Sequence, residues 1–406
     1  MAYDEMGRDA PAEPSSGVPA AVLENVFDDP LHGEPGRDRI AVHVVWEVLL
    51  LVGLAGLGFL LWREDADAVR GDGLKSLLVD AVALGLLALA AGLSLRAAAV
   101  NLAVGPVAVA AALHVAEQGD RGLREALLPA LTVAALGGAA LALAVVVLHV
   151  PGWAASLAGA AGVIVYIEQR SAPVAVQGTY DPRNTAVNLF AGFAAVAVLG
   201  GLFGAVKAIR RLVGRFRPVA DPAMRRGTVA ALVTGLALVG STVLAMLAGV
   251  LIAANGTGPV APTSGLDWSV LAIGTAMLAG TSAYGRRGGI FGTLLAVSLV
   301  VVFLAWAQAR GWTISRWAVG GAALGGGLLI TRLVEALGRP RTPTGEAAER
   351  MPAGDGTIST GWALSRSGPV DTWPGVLPVQ AAETTADPWE AHRWETGPQR
   401  WDADDR

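Results

Sequence analysis

Long apolar runs separated by short breaks of glycine, proline and charge organise the chain between residues 40 and 337. The runs are 40–62, 76–95, 98–116, 127–149, 153–168, 187–206, 228–252, 268–283, 289–309 and 317–337. A helix crosses the hydrocarbon layer with roughly 20 apolar residues. The runs are continuous, whereas the strands of a membrane barrel alternate apolar and polar positions, and lipid leaves no third way to satisfy the backbone. The pattern therefore predicts an all-α polytopic membrane helix bundle of about ten transmembrane helices. The weakest member is 153–168, which starts after Pro151-Gly152, ends at Glu168-Gln169-Arg170 and also reads as a half-helix.

Orientation follows from arginine and lysine in the short loops, which stay in the cytoplasm. The most basic loop is 207–226, with Lys207, Arg210, Arg211, Arg215, Arg217, Arg225 and Arg226 against one acid, Asp221. Placing it inside puts 284–288 and Arg96 inside as well. The bundle is then N-in and C-in, and the loops 63–75, 117–126, 169–186, 253–267 and 310–316 face outward. Residues 1–38 are acidic and proline-rich and lack the basic-then-apolar order of a cleavable leader. The first apolar helix is thus expected to be an uncleaved anchor. Three parts result: a disordered acidic tail (1–38), a transmembrane domain (39–338) and a disordered acidic tail (339–406). The last carries Trp362, Trp373, Trp389, Trp394 and Trp401, either an idle sticky tail or docking motifs for a partner or the membrane interface.

Composition agrees. Hydrophobic residues make up 53% of the 406 and charged ones 16%, where a soluble domain carries about 25% charge. The net charge of −4 calls for no nucleic acid. Arginine far outnumbers lysine, which occurs at Lys75 and Lys207, and Ala, Gly and Val are abundant. That bias suggests a GC-rich genome, hence a multi-pass protein of a bacterial cell membrane. There is no cysteine, so disulfides and thiolate metal sites are excluded. Neither lysine sits in a phosphate-binding loop, and no metal-ligand or serine-hydrolase spacing occurs. No catalytic residue, metal or cofactor is expected, and the chain reads as no enzyme.

Ionisable groups within the runs are His43, Glu47, Asp80, His114 and Glu335. Such charges are costly and suggest function by default. His43 and Glu47 share a helix face at a spacing of four. The favoured reading is structural pairing or snorkelling near span ends; a proton relay is the alternative. Gly285, Arg286, Arg287, Gly288 and Gly292 form a tight arginine-bearing hairpin, read as a topology anchor and packing turn, with a buried functional charge as the alternative. Glycines four apart (Gly288/Gly292, Gly200/Gly204, Gly321/Gly325) suggest close helix packing and a surface for a second copy. In the basic loop, Asp221-Pro222 fits a helix N-cap and first position, with Gly227 closing about one turn; the alternative is a plain loop.

Two stretches carry a family resemblance. In 84–113, an apolar helix and tight turn precede Asn101, Leu102 and Gly105. In 279–296, Gly280, Thr281, Ser282, Gly285, Arg287, Gly288, Gly292 and Thr293 follow a glycine-rich order. Together with the hydropathy order over about 40–337, these resemble the permease subunits of binding-protein-dependent ABC importers of the ribose and branched-chain amino acid type. Arg286, Ala279 and Ala296 stand where that family has glycine. Of the family's cytoplasmic Gly-x-Asn-Pro-Glu-Ala-Ala-Arg, only Asp221-Pro222 and a following arginine are matched.

The resemblance implies a sugar or similar small polar solute, a dimer with a second permease, an extracytoplasmic solute-binding protein, and separate ATP-binding cassette subunits. The cassette subunits would dock on Arg215, Arg217, Asp221, Pro222, Arg225 and Arg226. It also implies a solute path near Asn101, Leu102 and Gly105. Two other readings stand beside it: an ion-coupled secondary carrier using His43, Glu47 and His114, and a non-transporting scaffold whose tryptophan-bearing tail recruits a partner.

Overall fold

A computed structural model describes residues 40–206, 228–281 and 289–338. Among them ten α-helices follow one another: α1 (Ile40–Glu64), α2 (Gly71–Arg96), α3 (Val104–Gln118), α4 (Leu123–Val146), α5 (Gly152–Glu168), α6 (Ala186–Ala205), α7 (Thr228–Asn255), α8 (Leu266–Leu278), α9 (Gly292–Ala309) and α10 (Arg316–Gly338). No strand forms among the described residues. One isolated antiparallel bridge, Val174 to Val260, ties two loops.

Six of the spans are long and apolar enough to cross a membrane: α1, α2, α4, α6 with its leading turn, α7 and α9. The chain is thus an all-α bundle built from membrane-type helices. Each expected run holds a helix, but not every helix has spanning length. The run 98–116 yields a helix that starts only at Val104 and has 15 residues, about 22 Å at 1.5 Å per residue. The run 268–283 yields a 13-residue helix that ends at Leu278. Gly280 stops it: at φ 95° it lets Gly280 N–H donate to Met277 and Thr281 N–H to Ala276, the paired closing bonds of a Schellman end. The suspected half-helix 153–168 is a continuous 17-residue apolar helix that also falls short of the spanning length.

α7 is the hub. It packs against α2, α3 and α4, and α2 packs in turn against α6, α8 and α9. Buried positions make up 61% of the apolar window of α7 and 56% of that of α2, against 11% for α1. The first two are therefore central and α1 is peripheral. The core is alanine- and valine-rich, as around Ala90, Ala91, Ala108, Ala245 and Ala248. Small side chains bring backbones close where lipid supplies no hydrophobic drive between helices.

The glycine pairs are only partly used as the spacing suggests. Gly292 does pack, since a Cβ there would strike the Ala279 carbonyl. Gly200, Gly321 and Gly325 face open space, while Gly201 lies on Ile290 and Gly320 on Leu271. The contact face is one residue, about 100° of helix, away from the one the spacing picks out.

At one end of the bundle the loops are stitched together. Arg170 donates twice to the Glu117 carboxylate, at 2.6 and 2.9 Å, and that bond holds the guanidinium's proton more firmly than usual. Arg310 pairs with Glu64 at 3.1 Å and Arg316 with Asp267 at 2.7 Å.

Candidate functional site: a broken helix at the centre of the bundle

The chain leaves helical geometry between α2 and α3. Ala97 to Ala103 form no helix, yet Asn101 is fully buried and stands beside Ser241. Ser241 lies midway along the 28-residue α7, about 21 Å from Asn255 at 1.5 Å per residue. Irregular backbone at such a depth needs a partner for every N–H and C=O.

Four short polar side chains provide several of them. Asn101 Oδ1 accepts from Ala103 N–H at 3.0 Å, and its Nδ2 donates to Ser241 Oγ at 2.7 Å. Ser241 Oγ in turn donates to the Leu238 carbonyl at 2.9 Å. Ser156 Oγ accepts from Leu102 N–H at 3.0 Å and donates back to the Val100 carbonyl at 2.9 Å. Ser269 Oγ accepts from Gly105 N–H at 3.0 Å and donates to the Leu102 carbonyl at 2.7 Å. Each serine hydroxyl thus uses its donor and one of its two acceptor lone pairs.

The second half of the site is the start of α8. Gly265, at φ 73°, turns the chain into that helix, and its carbonyl occupies the place a Cβ on Gly105 would take. Two short helices therefore meet N-terminus to N-terminus, α3 and α8, with only hydrogen between their backbones. The break is also strained. α2 ends in the same paired-bond closure as α8, but the left-handed position is Ala98, at φ 51°, which costs about 1–2 kcal/mol for a residue with a Cβ.

The sequence-derived path residues, Asn101, Leu102 and Gly105, are brought together here, with Asn101 and Gly105 buried. Three of their partners, Ser156, Ser241 and Ser269, were missed. A lone hydroxyl in an apolar helix is the signal that marks them, because it must hydrogen-bond something.

Glu47 has a definite task. Its Oε1 accepts from Phe291 N–H at 2.6 Å and Gly292 N–H at 3.0 Å, capping the start of α9. The neighbouring Trp46 donates to the Leu278 carbonyl at 2.8 Å, at the end of α8. This is a structural role for that carboxylate. His43 is buried in α1; His114 lies on α3, which packs on α5, α7 and α8. The Nε2 of His114 is buried without a hydrogen-bond partner among the described residues.

The expected coupling residues Arg215, Arg217, Asp221, Pro222, Arg225 and Arg226 lie outside the described residues, as do Gly285, Arg286, Arg287, Gly288 and both tails. Among the described residues no cluster of His, Asp and Glu is arranged to hold a metal.

A second polar cluster, not anticipated as a unit, sits where α2 begins and α7 ends. Asn255 Nδ2 donates to Asp80 Oδ1 at 2.7 Å and to the Ser76 carbonyl at 3.0 Å. Its Oδ1 accepts from Arg183 Nε at 3.0 Å and from Ser76 Oγ at 3.2 Å. Arg183 Nη2 also reaches the Asn255 carbonyl, at 3.2 Å. No protein-family model matches the chain, and no curated protein or solved structure compared with it is significantly similar.

Proposed function

We propose that this chain is the membrane-embedded permease subunit of an ABC importer, providing the route for a small polar solute while separate ATP-binding cassette subunits supply the energy. The observation that carries the reading is the meeting of α3 and α8, two short helices whose N-termini abut at the middle of the bundle. Discontinuous helices of this kind place backbone amides and helix dipoles at membrane depth, where transporters handle their solute. With Asn101 and Gly105 buried and hydrogen-bonded, the described arrangement is sealed at that level. Transport then requires these helices to separate and the serine bonds to open. The apolar helices support a membrane-embedded protein, the arginine-over-lysine, Ala/Gly/Val-rich composition favours a bacterium, and the arginines of the short loops favour ten spans with both tails inside. The basic stretch 207–226 is the natural docking point for the cassette subunits, and an extracytoplasmic binding protein and a second permease complete the assembly.

Replacing Asp221–Arg226 by a Gly/Ser linker tests the reading. Solute uptake by the native host cells should fall to background while the chain still reaches the membrane. Uptake that survives the replacement, or that continues when ATP is depleted, would overturn it.

A further inference from the structure

We propose that Arg96 holds the phosphate of an anionic phospholipid, with an acyl chain of that lipid in a glycine-floored cleft between α2 and α6. Arg96 stands in the last turn of α2, a helix of 26 residues. That is about 39 Å at 1.5 Å per residue, so α2 outruns a hydrocarbon layer of about 30 Å and ends at headgroup level. The guanidinium there is short of partners. Its Nη1 donates to the Gly200 carbonyl of α6 at a long 3.4 Å. Its Nε is buried without a partner. Its Nη2 makes no hydrogen bond, and no carboxylate pairs with it, among the described residues. A charge held in this way is costly until an anion meets it.

The cleft follows from the small residues beside it. Gly85, Gly92 and Arg96 fall on one face of α2, and Phe193 and Gly200 on one face of α6. The helices touch at Gly85, where the Phe193 ring fills the place of a Cβ. They approach again where Arg96 reaches Gly200. Between these contacts the same faces are empty: a Cβ on Gly92 or on Gly200 would meet nothing within 4 Å. The lip of this gap is apolar and exposed, with Leu93, Val196, Leu199 and Phe203. An open apolar gap thus lies one turn deeper in the bundle than a cation at headgroup level.

Snorkelling alone does not account for this arrangement. A snorkelling arginine turns its head to water and leaves its stem on apolar surface, whereas here Nε is buried and the head lies across to α6. The terminal carbonyls of α2 attract a cation, but they leave Nε and Nη2 unbonded. A free inorganic anion answers the charge and leaves the gap empty. A zwitterionic lipid fills the gap but brings its own cation beside the phosphate. An anionic phospholipid answers both. Cationic pockets between membrane helices bind such headgroups. The chain also runs on from α6 into the basic stretch 207–226, which draws anionic lipid to the same end.

The test uses the purified full chain in nanodiscs of mixed phosphatidylcholine and phosphatidylglycerol, with native mass spectrometry to count the lipids it retains. Phosphatidylglycerol should be retained about fivefold over phosphatidylcholine, the preference that one arginine at an anionic surface gives. Arg96→Gln should remove the preference, and Arg96→Lys should keep most of it. Gly92→Leu leaves the charge in place and fills the gap, so it should displace phosphatidylglycerol as well. The fold has room for that side chain, and this variant decides even if Arg96→Gln does not fold. Arg310→Gln, which breaks the pair with Glu64, should leave the preference unchanged. Equal retention of the two lipids, or a preference that survives Arg96→Gln or Gly92→Leu, overturns the proposal. Loss of phosphatidylglycerol to millimolar inorganic phosphate would assign Arg96 to a free anion and overturn the lipid.

Discussion

Two polar clusters interrupt the apolar bundle, and they are built to opposite rules. At the break between α2 and α3, the side-chain partners Asn101, Ser156, Ser241 and Ser269 are buried, and each hydroxyl both gives and receives a bond. Where α7 ends, Asp80 is exposed, and a carboxylate and a guanidinium keep unused capacity on either side of Asn255. The difference teaches how a membrane protein tolerates polarity. Deep groups survive by closing their hydrogen bonds on one another, because an unmet one costs about 1–3 kcal/mol. Groups with exposed surface can leave valences open because solvent can fill them.

The sharpest way to break the contrast is Gly105→Ala. The new methyl would fall on the Gly265 carbonyl and crowd Ser269, backbone that cannot move without parting α3 from α8. A loss of more than about 3 kcal/mol is expected, seen as aggregation on size exclusion or a collapsed melting temperature. A normal melt would mean that the two helix starts are not in contact.

Next comes Asn101→Leu, which strands Ala103 N–H and removes the donor to Ser241. A loss of about 2–3 kcal/mol follows, read as a lower melting temperature in detergent. Asp80→Asn is its counterpart in the second cluster and should change stability by less than about 0.5 kcal/mol, the usual range for exposed sites. Equal effects of these two substitutions would erase the distinction.

Glu47→Ala removes the cap of α9, a loss of about 1 kcal/mol; Glu47→Gln, still an acceptor, should lose less. The smallest effect runs the other way. Ala98→Gly relieves the left-handed alanine at the break and should leave stability unchanged or raise it by up to about 1 kcal/mol, visible as a slightly higher melting temperature.

Much of this architecture was legible before any coordinates. The apolar runs mark all ten described helices, because only an uninterrupted apolar stretch is at ease in lipid. The family-like order around Asn101, Leu102 and Gly105 suggested a broken helix there, and the structure has its break between α2 and α3 at that place. Their partners escaped notice because Ser156, Ser241 and Ser269 come from three different helices, and a single serine in an apolar helix carries no spacing pattern. The glycine spacing indicated tight packing but chose the neighbouring face at Gly200, Gly321 and Gly325, since periodicity alone does not say which side of a helix meets a neighbour. Glu47 was flagged as a costly charge, and its worth emerged only with α9 standing beside α1.

The sequence by itself determined the all-α, membrane-type character of the bundle and where its described helices lie, since hydropathy is a local property summed over about 20 residues. Only the tertiary structure decided which pieces stop short, which hydroxyl meets which amide, and which charges stay open to water. Those outcomes depend on contacts between residues more than a hundred positions apart, such as Asn101 with Ser241 and Asp80 with Asn255, and no local pattern encodes such a distance.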